Sequence, residues 1–137
     1  MKKIIMLLLL FVISSCVKQD TGFINPGEKI KVDENLYFSY TFDKKPAIGM
    51  LIVNLKLVDT SVPDSSGTKV TGYTVAGISG MPLMRGAHDS PETEFKQNRK
   101  GDYLLPVNVV MAGEWDILVK IKKGNTVIFT GTIKFNV

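Results

Sequence analysis

The sequence predicts an all-β fold, an immunoglobulin-like antiparallel β-sandwich of about seven strands, carried behind an export signal. Three observations predict it. Apolar and polar residues alternate with period two along most of the chain. Stretches rich in Gly, Pro, Ser and Asn break that alternation at short intervals. No stripe of apolar residues at helical spacing, and no internal repeat, is visible in the exported part. About seven short strands in roughly 110 residues without a helix fit two packed sheets. A small barrel would show the same alternation and stands second.

The first element is not part of the sandwich. Met1 to Cys16 reads MKKIIMLLLLFVISSC. Lys2 and Lys3 form a positive start, Ile4 to Ile13 an apolar run, and Ser14-Ser15-Cys16 a small-residue site ending in a thiol, which resembles a lipobox. The apolar run would reach about 15 Å as a helix, half of a bilayer core, too short for a span. Residues 1–15 are therefore expected to be a lipoprotein signal peptide. Cys16 is the only cysteine and is expected to carry the lipid, with several acyl chains giving stable anchoring to the bilayer. Plain secretion is the alternative. The residue after Cys16 is Val17, so the Asp linked to inner-membrane retention in enteric bacteria is missing. The expected address is the bacterial cell envelope, on a periplasmic face or at the outer membrane. Residues 16–28, polar with Gly and Pro, read as the lipidated N-terminus and a flexible tether. Residues 29–137 read as the sandwich domain.

Along that domain, Lys29 to Asp33 is expected to be a short strand. Leu36, Phe38, Tyr40 and Phe42 share one face of the next, and Leu51, Val53, Leu55 and Leu57 one face of its successor. Ser61 to Lys69 is a loop by composition. Val70 to Ile78 is strand-like but Gly-rich. Gly80 to Asn98, with Pro82 and Pro91, reads as irregular with one short strand near Phe95. Tyr103, Leu105, Val107, Val109 and Met111 take one face of a strand. Trp115, Ile117, Val119 and Ile121 follow in the next, and Val127, Phe129, Ile133 and Phe135 in the last. Ala112-Gly113 and Lys123-Gly124-Asn125 are predicted as hairpin turns between them. Gly101-Asp102-Tyr103 resembles the tyrosine corner of immunoglobulin-like domains. Tyr103 and Trp115 are expected in the core.

Composition excludes some functions. The full chain has formal charge +4, but Lys2 and Lys3 leave with the signal, so the exported part carries +2. No basic patch asks for nucleic acid. Lys120, Lys122 and Lys123 read as a solvated strand face. With its one thiol acylated the domain has no disulfide, so packing alone must hold it. No nucleophile elbow, phosphate-binding glycine loop or paired catalytic acids appear, and the chain is not expected to be an enzyme.

One stretch can carry chemistry. Met81-Pro82-Leu83-Met84 is followed by His88, the only histidine. Thioethers suit Cu(I), and imidazole suits Cu(I), Cu(II) and Zn(II). Met81, Met84 and His88 are thus a candidate copper set if the Pro82 loop folds back, with Asp89 to orient the imidazole. Met111 is a fourth candidate, although its parity sets it in register with inward Val107 and Val109. Asp89, Glu92 and Glu94 offer a weaker hard-metal reading. Against all of these, Met fills core gaps, and a single loop His is commonly incidental.

The order Met81-Pro82-Leu83-Met84, His88, Gly101-Asp102-Tyr103 and Gly113-Glu114-Trp115 resembles the YtkA-like family of small exported bacterial domains, over roughly Leu51 to Val137. The likeness to CopC-like copper-binding sandwiches is one of general architecture. The resemblance implies a non-catalytic, membrane-anchored accessory that binds or presents copper in metal transport or homeostasis. The alternative from the same residues is a metal-independent interaction or structural module. Its loops Ser61 to Lys69 and Gly80 to Asn98 would then meet another envelope protein.

Overall fold

The computed structural model describes residues 23–62 and 70–137. The signal peptide, Cys16 and most of the Ser61 to Lys69 loop lie outside the described residues. Ten strands follow in chain order: β1 (Phe23–Ile24), β2 (Ile30–Lys31), β3 (Leu36–Phe42), β4 (Gly49–Asp59), β5 (Tyr73–Gly80), β6 (Thr93–Glu94), β7 (Lys96–Gln97), β8 (Tyr103–Val109), β9 (Glu114–Lys123) and β10 (Thr126–Asn136). A 3-10 turn at Pro82–Met84 is the only helical element among the described residues.

The strands form two sheets, ordered β1-β10-β9-β5-β6 and β2-β3-β4-β8-β7. Every pairing is antiparallel except that of β1 with β10. Counting β3, β4, β5, β7, β8, β9 and β10 as strands A to G gives the sheet orders A-B-E-D and G-F-C of an immunoglobulin-like sandwich. The strand expected over Lys29 to Asp33 is β2, and the one expected near Phe95 is divided between β6 and β7. β1, β2 and β6 are two-residue additions at or near the edges, too short to leave a period-two signature.

Alternation places the core as expected. On the β3–β4 ladder Phe38 lies opposite Leu57 and Tyr40 opposite Leu55, and with Leu36, Leu51 and Val53 all seven are buried. Tyr103, Leu105, Val107 and Val109 of β8 and Trp115, Ile117, Val119 and Ile121 of β9 are buried too. Aromatic rings link the sheets: Phe38 meets Phe129 edge-on at 5.0 Å, and Phe42 meets Phe135 at 5.2 Å. Burying such side chains contributes about 1.5–3 kcal/mol each, the main favourable term for a domain without a disulfide.

Four local expectations are corrected. First, Ala112-Gly113 does not close a hairpin. β8 pairs with β4 and β7, β9 with β5 and β10, so this turn carries the chain from one sheet to the other. Alternation is the same on either side of a hairpin or a crossover, so sequence could not separate them. Second, Tyr103 opens strand E rather than F and is no tyrosine corner. Its hydroxyl points to the Tyr73 carbonyl at 3.3 Å, tying the start of β5 to the opposite sheet. Asn98 builds the local turn instead, its Oδ1 accepting the Lys100 and Asp102 N–H groups at 2.9 Å. Third, Val127 is exposed, because the β9–β10 ladder shifts register between Val127 and Phe129 and this bulge inverts the phase. Fourth, β1 (Phe23–Ile24) lies inside the segment expected to be tether. Ile24 is buried, and its carbonyl accepts the Tyr40 hydroxyl at 2.8 Å. Gly131 allows this approach, since a Cβ there would lie 2.8 Å from Ile24 Cδ1.

Candidate interaction site on the Met81 to Pro91 loop

β5 ends at Gly80, paired with Asp116 of β9. A Cβ at Gly80 would strike the Asp89 carboxylate, so glycine lets the following loop fold back over the strand end. Met81 then turns inward. It is 7% exposed and belongs to the core cluster. Its methyl end lies against Gly113, where a Cβ would come within 2.8 Å of Met81 Cε. Pro82 starts the 3-10 turn, closed by the Met84 N–H on the Met81 carbonyl at 2.9 Å.

Arg85 fixes the loop to the sheet. Its Nη1 pairs with Asp89 Oδ1 at 3.1 Å, and its Nη2 with Asp116 Oδ2. Among the described residues Asp116 and Ser79 are the buried polar side chains, and Asp116 Oδ1 has no hydrogen-bond partner there. A buried carboxylate is costly unless paired, so Arg85 supplies what the strand position requires. Burial opposes the Arg85 charge, but the Asp116 and Asp89 carboxylates outweigh it and raise the guanidinium pKa further. Asp89 Oδ2 also accepts the Gly86 N–H at 3.0 Å, and Gly86 takes a positive φ of 81° that a β-branched residue would resist.

The far side of the loop is sewn to the edge of β5. The Ser90 N–H donates to the Ser79 carbonyl at 2.7 Å, and the Ser79 N–H donates to Ser90 Oγ at 2.9 Å. Beyond Pro91, Glu92 accepts Lys120 at 2.6 Å and Lys122 at 2.9 Å. These hydrogen bonds, from Lys120 first, lower the Glu92 pKa to about 2. Lys120 and Lys122, expected on a solvated strand face, hold the loop down through Glu92; Lys123 lies near the Tyr73 ring at 5.9 Å.

Between this loop and β8 runs a cleft of about 370 Å³. Leu105, Pro106 and Trp115 contribute to its walls, and His88, Asp89, Ser90, Thr93 and Asn108 supply polar groups. β7 pairs only Tyr103 and Leu104, so the remainder of β8 is a sheet edge. Pro106 suits that position, since it has no N–H to offer a second strand.

The structure treats the candidate metal ligands differently. Met81 has its thioether in the core. Met84 is 38% exposed, and His88 is exposed at the cleft. A three-donor site would require Met81 to leave its packing against Gly113, so the folded loop does not fit a Met81–Met84–His88 copper set as it stands. Asp89, expected to orient the imidazole, is engaged by Arg85 and Gly86. Glu92 is engaged by two lysines, while Glu94 is exposed on β6. Met111 packs partly buried against the core, and its carbonyl accepts Trp115 Nε1 at 3.0 Å. Among the described residues no three His, Cys, Asp or Glu side chains are grouped as a metal site.

Sequence reasoning missed Arg85 and Asp116. The signal was Asp116 itself, an acid in a strand between Trp115 and Ile117 that needs a cation, with Arg85 one of only two arginines.

No protein-family model, curated protein or solved structure matches this chain.

Proposed function

We propose that this chain is a lipid-anchored, non-catalytic module of the bacterial envelope whose sandwich presents the Met81 to Pro91 loop to another protein. One observation carries the reading. Leu83 is 93% exposed on a loop held by the Arg85–Asp116 and Arg85–Asp89 pairs and the Ser79–Ser90 hydrogen bonds. An apolar side chain offered on a pre-organised loop favours recognition, because little ordering entropy remains to be lost on binding. The anchor rests on Lys2, Lys3, the apolar run and Cys16. The intact mass of full-length protein recovered from membranes tests it. Acyl and diacylglyceryl mass on Cys16 is expected, with Cys16→Ser released to the soluble fraction; an unmodified Cys16 would sink the anchor.

Copper presentation is the second reading. It is favoured by Met84 and His88, both exposed on one loop, and by the likeness of the Met81-Pro82-Leu83-Met84, His88 and Gly113-Glu114-Trp115 pattern to YtkA-like domains. Cu(I) titration of the mature chain separates the two. Tight binding lost in the Met84→Ala, His88→Ala double variant supports copper. Absent or unchanged binding leaves the interaction module.

A further inference from the structure

The strands end on two opposite faces of the sandwich, and the exposed apolar side chains are not shared evenly between them. Ile48 and Val110 flank Gly49 and Val109, the last paired residues of β4 and β8, and Met50 lies beside them. The loop bearing Leu83 and Met84 sits at this same end, where Gly80 of β5 pairs with Asp116 near the start of β9. Five of the eight exposed large hydrophobic side chains among the described residues, Ile48, Met50, Leu83, Met84 and Val110, are therefore at one end. Exposed Lys44 and Lys45 add two cations with no ion pair among the described residues, while the exposed acids at this end are engaged, Asp43 by the Ile52 N–H and Glu114 by Lys134. Apolar clusters of this kind mark contact surfaces. Apolar residues with a basic rim suit either an anionic bilayer or a protein with an acidic border.

The direction in which β1 enters the sheet favours the protein. β1 runs parallel to β10, with Phe23 opposite Thr132 and Ile24 opposite Ile133. β1 thus enters the sheet from the side of the Gly124-Asn125 hairpin and runs toward the apolar end. The Tyr40 hydroxyl on the Ile24 carbonyl and the burial of Ile24 fix that direction. Seven residues, Cys16 to Gly22, precede Phe23 in the exported chain and span at most about 25 Å. From the level of Thr132 to the hairpin at Thr126 is about 20 Å along β10 at roughly 3.3 Å per residue. An anchor at Cys16 continuing in the direction of β1 would therefore reach the bilayer just beyond the hairpin. Bringing the apolar end to the bilayer instead requires the chain to reverse at once at Phe23 and run back about 13 Å to the level of Asn136.

We infer that the Gly124-Asn125 end faces the membrane and that the Ile48, Met50, Leu83 and Val110 end faces away from it, as the docking surface for a protein partner with an apolar patch and an acidic border. The inference rests on the lipid anchor at Cys16. Acylated Cys16 leaves a single introduced cysteine free to take a fluorophore. Full-length Asn125→Cys, Leu83→Cys and Val110→Cys are placed in phosphatidylethanolamine–phosphatidylglycerol vesicles containing nitroxide lipid. Several-fold stronger quenching at residue 125 than at 83 and 110 is expected. The reverse order overturns the orientation and makes the apolar end a membrane contact. Lack of acyl mass on Cys16 strikes the anchor itself, so the two failures are distinguishable. Docking is tested by a photo-crosslinking residue at position 110 or 125 in intact cells. A discrete adduct from 110, abolished by Ile48→Asp or Leu83→Asp and absent from 125, is expected. No adduct from 110, or one indifferent to both substitutions, overturns the docking surface.

Discussion

Asp116 shows how one residue dictates the local architecture of the loop. It faces outward from β9, where a solvated polar side chain would ordinarily sit, yet the Met81 to Pro91 loop covers it. Its charge is tolerable because Arg85 crosses from that loop to meet it. Arg85→Ala is expected to destabilise the domain by about 2 kcal/mol: breaking a buried pair costs more, but the half-exposed guanidinium discounts it. Replacing both, Arg85→Ala with Asp116→Leu, should recover part of the loss, since the orphaned carboxylate goes as well. Urea denaturation of the two single variants and the double one measures the coupling. Strictly additive losses would show that the pair does not hold the loop. Hydropathy patterning could not reveal this pair. It places an acid on an outward position but does not say that a loop 31 residues away in sequence returns over it.

At the scale of elements, what could be read depended on whether a strand buries one face over several residues. β3, β4, β8 and β9 do, and their inward positions were assigned correctly from alternation. β10 kept its phase from Phe129 to Phe135 and lost it only at Val127, before the bulge, because one extra residue inverts every side chain before it. β1 was missed, β2 was expected within the longer Lys29 to Asp33, and β6 and β7 were expected as one short strand near Phe95: two residues make no period, and their existence depends on partners distant in sequence. The candidate site divides in the same way. Pro82 and Gly80 announced a turn after β5, and His88 does reach the surface there. That Met81 points inward follows from the close approach of Gly113, a contact between two loops on which local spacing is silent. The pair Met81 and Met84 looked alike in sequence because a 3-10 turn cannot be told from an extended loop by two methionines around a proline.

The whole molecule is bounded in pH by groups at opposite limits of its titration range. On the acid side, Glu92 is the main group: its pKa, lowered from 4.5 to about 2 by Lys120 and Lys122, gives stability that is present above 4.5 and lost as pH falls toward 2. This pair is open to solvent, so the acid limb should be shallow and should weaken with salt. On the alkaline side, burial first and the nearby Glu28 charge second push the Tyr40 phenol from 10.0 up to about 12. The folded state then holds a proton that the unfolded chain has released. Stability is complete below pH 10 and falls as pH rises through about 12, at about 1.4 kcal/mol per unit for one proton. Tyr103, also raised by burial, adds in the same sense. The Tyr40 hydroxyl donates to the Ile24 carbonyl, so its ionisation also removes the bond that holds β1 to the other sheet. Tyr40→Phe is therefore expected to cost about 1 kcal/mol near neutrality through that lost hydrogen bond, and to flatten the alkaline limb without moving the acid one. Denaturation midpoints across the pH range, for the native chain and for Tyr40→Phe, read both effects. An alkaline limb of unchanged slope in the variant would assign the titration to other tyrosines and separate the anchoring of β1 from the chemistry of Tyr40.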